Sequence, residues 1–140
     1  MAWPWVSRRN VNAAKDGETT RAATGAAGER LAQRYLEAHG LRILERNYRV
    51  ARGRSRPGGE IDLIARDADG TIVFVEVRVR RDGSGGGAAA SIGAAKQARL
   101  VYAARTWLQP WSRVPPCRFD VVAVDGDRVQ WLQAAFDAES

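Results

Sequence analysis

Residues 59–80 read GEIDLIARDADGTIVFVEVRVR, and the turn at their centre decides how the surrounding chain is arranged. Two apolar runs, 60–66 and 71–80, flank Asp67-Ala68-Asp69-Gly70, and the second is rich in β-branched residues, as a central strand requires. A three-residue loop with Gly70 at the left-handed bulge position pairs Asp67 with Thr71. Counting back along both strands sets Ile64 opposite Phe74 and Asp62 opposite Glu76. A two-residue Asp69-Gly70 turn would shift the register by one and send the two carboxylates to opposite faces. Strand periodicity places Ile72, Phe74, Glu76, Arg78 and Arg80 on one face and Val73, Val75, Val77 and Val79 on the other. One face is therefore apolar throughout, and its reverse is apolar only at its start.

Working outward, residues 51–59 (ARGRSRPGG) read as a loop, and residues 41–50 before it as a first strand. A helix over 25–39 precedes that strand, with Ala27, Leu31 and Tyr35 on one stripe, Ala32 and Leu36 beside them, and Gly40 as its stop. Residues 1–24 lack apolar periodicity and read as a disordered arm carrying Trp3 and Trp5. On the other side, the glycine-rich segment 82–90 reads as a mobile loop. A second helix over 91–108 follows, with Ala94, Ala98, Val101, Ala104 and Leu108 as its apolar stripe. Strands at 118–124 and 128–132 close the chain as a hairpin turning at Asp125-Gly126-Asp127. The expected fold is one α/β domain over 25–140 with a mixed sheet, in the order α-β-β-β-α-β-β.

Composition narrows the chemistry. The 140 residues are 45% hydrophobic and 27% charged, enough for a real core. Lys and Arg number 22 against 16 acids, a formal charge of +6, which suggests a polyanionic partner. The single cysteine, Cys117, excludes a disulfide framework and a thiolate zinc site, and the single histidine, His39, excludes mechanisms needing two. No run is long and apolar enough to cross a membrane and no secretory signal opens the chain, so a cytoplasmic protein without a membrane partner is expected. His39 reads as a cap on the helix carbonyls, Cys117 as a thiol without a role, and Asp120 as structural. Trp107, Trp111 and Trp131 read as core or interface aromatics.

Carboxylates set opposite one another with Cβ atoms about 5 Å apart repel. A divalent cation between Asp62 and Glu76 would remove that cost, and hard oxygen ligands suit Mg²⁺ or Mn²⁺. The same charges also fit a solvated hairpin end, in which Glu60 forms a surface ion pair with Arg78. Around the pair the chain is basic. Six arginines fall between Arg42 and Arg56 against one acid, Glu45. Arg49, Arg52, Arg54 and Arg56 lead into the Asp62 strand, and Arg80 and Arg81 leave the Glu76 strand. Phosphate contacts from these side chains would position a nucleic acid without reading its sequence.

Gly59-Glu60-Ile61-Asp62-Leu63-Ile64-Ala65 followed by Val73-Phe74-Val75-Glu76-Val77-Arg78 resembles the signature of the YraN family. Gly28-Glu29 with Tyr35-Leu36 and Gly40, Ile43-Leu44 with Arg46-Asn47, Lys96-Gln97, and Arg118-Phe119-Asp120-Val121-Val122 extend the resemblance over about residues 25–132. These small bacterial proteins are predicted to have the restriction-endonuclease-like fold and resemble archaeal Holliday-junction resolvases. The resemblance implies a metal-dependent nuclease acting on DNA, often as a homodimer because two cuts need two sites. It implies Asp62 and Glu76 as metal ligands, the Val77 carbonyl as a third, and Glu29 approaching the metal from the first helix. The chemistry implied is in-line attack of an activated water on a phosphodiester.

The chain departs from the superfamily pattern at one position, where Arg78 replaces the motif lysine. Arginine in effect cannot shed its proton, but it can clamp a phosphate in two-pronged fashion. Lys96, on the following helix, is the candidate to supply the ammonium instead. A nucleic-acid-binding module with an inactive centre, and a non-catalytic interaction domain, are the other two readings.

Overall fold

A computed structural model describes residues 9–12, 25–80 and 92–138. The strands are β1 (Arg9–Asn12), β2 (Arg42–Arg52), β3 (Arg56–Arg66), β4 (Ile72–Arg80), β5 (Cys117–Asp125) and β6 (Arg128–Phe136), and the helices are α1 (Gly25–Ala38) and α2 (Ala94–Leu108). They build a six-stranded sheet in the order β1-β6-β5-β4-β3-β2. β4 and β5 run parallel and are connected through α2, while every other neighbouring pair is antiparallel. From α1 onward the order is the expected α-β-β-β-α-β-β. β1 is an added edge strand on β6, inside the segment read from sequence as an arm. The remainder of that segment, with Trp3 and Trp5, and the glycine-rich 82–90 with Arg81 beside it, lie outside the described residues.

Each helix covers one face of the sheet. Leu31, Ala32 and Leu36 of α1 pack with Val73, Val75, Val122 and Trp131. Leu100, Ala103, Ala104 and Leu108 of α2 pack with Ile61, Ile64, Ile72, Phe74 and Phe119. Of the stripe read from sequence, Val101, Ala104 and Leu108 face this cluster, but Ala94 and Ala98 are exposed. Leucine buries more apolar area than alanine, so Leu100 and Leu108 set the face, and Ala94 and Ala98 turn outward. Both helices approach the sheet over glycine. A Cβ at Gly28 would overlap the Val79 side chain, and one at Gly59 would overlap the backbone carbonyl of Arg99.

The loop expected over 51–59 is shorter than its composition implied. β2 and β3 continue through it to pair Arg52 with Arg56 across the turn Gly53-Arg54-Ser55, with Gly53 at φ 68. Pro57 and Gly58 stand beside the register shift between Val50 and Arg52, and bulges are where a ladder tolerates proline and glycine.

On the α1 face, β5 and β6 shift register between Phe119 and Val121. The buried Asp120 carboxylate fills the gap, accepting hydrogen bonds from Arg118 Nε at 3.1 Å, Trp131 Nε1 at 2.8 Å and the Ala134 N–H at 2.9 Å. Arg118 also bonds Asp67 Oδ2 at 3.1 Å, tying this network to the β3–β4 turn. Asp120 is structural, as expected. His39 Nδ1 lies 2.8 Å from the Tyr35 carbonyl oxygen, also as read from sequence. Cys117 is fully buried, and burial pushes its thiol up to about 12. Trp131 is a core residue, while Trp107 and Trp111 pack half-buried against the α2 cluster.

Candidate functional site

The β3–β4 turn has the expected geometry. The Asp67 N–H donates to the Thr71 carbonyl at 2.9 Å, Gly70 has φ 91, and Ile64 pairs with Phe74. The ladder then runs to Leu63 and Val75 and no further. Beyond it, β3 breaks its alternation. Ile61 and Ile64 both face the α2 cluster, whereas residues three apart on a regular strand face opposite ways. The partner strand breaks at the same level, where Asn47, between Arg46 and Tyr48, takes φ 52. Asparagine tolerates that left-handed conformation better than other non-glycine residues.

The break turns Asp62 into the gap opened between β3 and β4. Its Oδ2 accepts a hydrogen bond from the Val77 N–H at 2.8 Å, taking the place of a ladder bond. Val77 thus meets Asp62 through its amide rather than through the carbonyl named from the resemblance. The Glu76 carboxyl, only 12% exposed, lies in hydrogen-bonding contact with Asp62, and its Oε2 is 3.4 Å from Lys96 Nζ. Burial first, and then the Asp62 charge, raises Glu76 to about 7, against the opposing pull of Lys96. Asp62 is also raised by burial, with the Val77 N–H opposing. Both carboxyls are therefore harder to ionise than free ones. Two hard oxygen groups facing a common space suit Mg²⁺, which is commonly held by one or two carboxylates with water and substrate phosphate completing its shell.

Glu29 reaches this end of the molecule from α1. Its carboxyl is raised by burial and then by the charges of Asp62 and Glu60, with Arg49 opposing. Among the described residues, however, no three acidic, histidine or cysteine groups come together closely enough to hold a metal ion. Glu29 stands in the field of Asp62 and Glu60 rather than in a three-carboxylate cluster with the pair. Glu60 is ion-paired with Arg49, and the β3–β4 register that would have set it against Arg78 ends at Leu63.

Two open hollows flank Lys96. One, of about 570 Å³, is lined by Glu76, Arg78, Arg80, Gly93 and Lys96, with the first turn of α2 at its wall. That turn contains no acidic residue, and its cap, Gly93, makes no side-chain hydrogen bond to it. The other hollow, of about 560 Å³, is lined by Arg49, Gly59, Glu60, Lys96 and Arg99. Of the basic residues singled out in the sequence, Arg49 and Arg80 border these hollows, and Arg52, Arg54 and Arg56 crown the far tip of the β2–β3 hairpin. Sequence reasoning missed Arg99 and the α2 N-terminus. Their proximity to the site depends on how α2 lies across β3 at Gly59, which no local signal encodes.

The model of the family described as Uncharacterised protein family UPF0102 matches residues 28–124. A UPF0102 protein of Paracidovorax citrulli is 61% identical over 121 residues, 86% of this chain and 87% of that protein. One from an Acidovorax species is 55% identical over 130 residues, covering 93% and 96%. One from Methylibium petroleiphilum is 56% identical over 119 residues, covering 85% and 98%. The chain belongs to the UPF0102 family, which is the YraN family of the sequence resemblance. Among the described residues no helix is long and apolar enough to cross a membrane.

Proposed function

We propose that this UPF0102 protein is a metal-dependent nuclease that hydrolyses phosphodiester bonds in DNA, with Asp62 and Glu76 holding Mg²⁺ or Mn²⁺. The observation that carries the reading is the contact of these two largely buried carboxyls, of which Glu76 lines a basic hollow. The donor set fits the ion: both groups are hard, and a divalent cation between them offsets the mutual repulsion that raises Glu76. When bound, the ion lowers the pKa of a water molecule and neutralises charge on the scissile phosphate.

The chain's own residues do the rest. Lys96 brings an ammonium to the pair, the role that Arg78 cannot take because a guanidinium keeps its proton. Arg78 and Arg80, in the hollow that Lys96 also lines, clamp phosphate oxygens. The first turn of α2 adds backbone N–H groups and the positive end of its dipole. Glu29 keeps the negative field that attracts the cation. A homodimer would bring two such sites to the two strands of a duplex, working on DNA in the cytoplasm. Arg78 itself favours a second reading, in which the site binds nucleic acid without turning it over.

The test is cleavage of labelled duplex, single-stranded, flap and four-way-junction DNA in Mg²⁺ or Mn²⁺, with Asp62→Asn and Glu76→Gln purified identically. The expected result is metal-dependent cutting abolished by either substitution while DNA binding is largely kept, together with a Mn²⁺-induced rise in melting temperature seen only in the wild type. Binding without cutting in either metal favours the second reading and makes Arg78→Lys the variant to restore activity. No binding of metal or DNA would leave an interaction domain.

A further inference from the structure

We propose that the β2–β3 hairpin tip is a ribbon that seats the minor groove of a DNA duplex about six base pairs from the carboxylate pair. The substrate must then be double-stranded on that side. The inference rests on the nucleic-acid reading of the site but not on its cleavage chemistry.

Arg52 stands directly opposite Arg56, Arg54 occupies the turn between them, and all three are exposed. Like charges directly opposite each other destabilise a hairpin. Among the described residues no carboxylate forms an ion pair with any of the three, although Arg49, further down the same ribbon, has Glu60. Three clustered guanidinium groups without an acid are a cost to the free protein that a polyanion would offset.

The ribbon is also braced. Tyr102 Oη donates to the Ala51 carbonyl at 3.4 Å, and the Arg52 guanidinium lies 4.3 Å from the centre of the Tyr102 ring. A side chain at Gly58 would overlap the Val50 carbonyl, so the bulge below the tip closes only because that residue is glycine. The tip therefore projects from α2 in a set direction.

Shape selects the duplex. Single-strand binders offer open aromatic faces on which bases stack, but one face of the Tyr102 ring beside the tip is taken by Arg52. With Arg52 held over Tyr102, the exposed Arg54 and Arg56 are left to enter a minor groove about 6 Å wide. The narrow form of that groove has an enhanced negative potential. The β3 segment from Arg56 to Asp62 spans about 20 Å at roughly 3.3 Å per residue. That is the rise of about six base pairs at 3.4 Å each.

The experiment measures binding of fluorescein-labelled hairpin DNAs with stems of four or twelve base pairs, and of a single strand of equal length, in EDTA across a salt series. Wild type is compared with Arg54→Ala/Arg56→Ala and with a charge-matched control on exposed α1 positions, Arg30→Ala/Arg34→Ala. On the twelve-pair stem the tip variant should lower the slope of log K against log salt by about 1.8, at about 0.9 per arginine. It should leave the four-pair stem and the single strand unchanged. Netropsin, a minor-groove ligand, should compete on an A·T-rich long stem. Equal loss on the single strand, equal loss in the α1 control, or no dependence on stem length overturns the ribbon while sparing the site. Failure of the wild type to bind any DNA overturns the reading of the site as well.

Discussion

Glu76 concentrates the electrostatics of the site in one carboxyl. Its ordinary value of 4.5 is raised to about 7 by burial and by Asp62, so the folded state favours the protonated form. A raised carboxyl contributes stability that is fully present below pH 4.5 and lost as the pH climbs through about 7. Asp62 is raised as well and acts in the same sense. In EDTA the urea midpoint should therefore fall between pH 4.5 and pH 7, and Glu76→Gln should flatten that fall by removing both a titrating group and the neighbouring charge. An unchanged slope in the variant would show that the pair is not where the charge is stored. With Mn²⁺ added, the stabilisation should instead grow with pH, since the ion competes with protons for the two carboxyls. That Asp62 and Glu76 meet was legible in the sequence, because the turn around Gly70 sets the register. That Asp62 leaves the ladder to accept the Val77 N–H was not, because pairing arithmetic assumes the regular alternation that Asn47 and Asp62 break.

At the scale of the element, α2 delivers Lys96 to the site through its contact with β3. Gly59 meets the carbonyl of Arg99, which is backbone and cannot rotate aside as a side chain can. Gly59→Ala should displace α2, lower the melting temperature and part Lys96 from Glu76. Any cleavage should then fall more than the loss of folded protein explains. The comparison that separates geometry from stability is Leu108→Ala, which opens a cavity at the other end of α2, costs about 2–5 kcal/mol and leaves Gly59 alone. If both variants lose activity only in proportion to stability, Gly59 does not position the site. The existence of α2 was readable from its apolar period and the prolines that follow it. That Ala94 and Ala98 fall outside the buried stripe was not, because they fit the same helical period until the sheet decides which turns it covers.

Across the whole molecule, the sheet holds two cores, one under each helix, and the Arg118–Asp120 network joins strands that are distant in sequence. Arg118 binds Asp67 of the β3–β4 turn and Asp120 of β5, and Asp120 binds Trp131 and the Ala134 N–H of β6. Removing one partner of a buried ion pair leaves an uncompensated charge and typically costs about 3–5 kcal/mol. Arg118→Ala should lose stability of that order by urea titration, and Asp120→Asn should restore part of it in the double variant by removing the orphaned charge. A loss below about 1 kcal/mol would mean the network is not structural. The sequence by itself determined the order of the elements from α1 onward, the central place of β4 and the register that brings Asp62 towards Glu76, because each follows from a local period or a turn that acts over a few residues. Only the tertiary structure decided that Lys96 reaches Glu76, that Arg49 takes Glu60, and that Arg118 sits over Asp120 and Trp131. Most of these contacts depend on where packed helices and distorted strands come to rest, and that is settled by the summed burial of both cores rather than by any one segment.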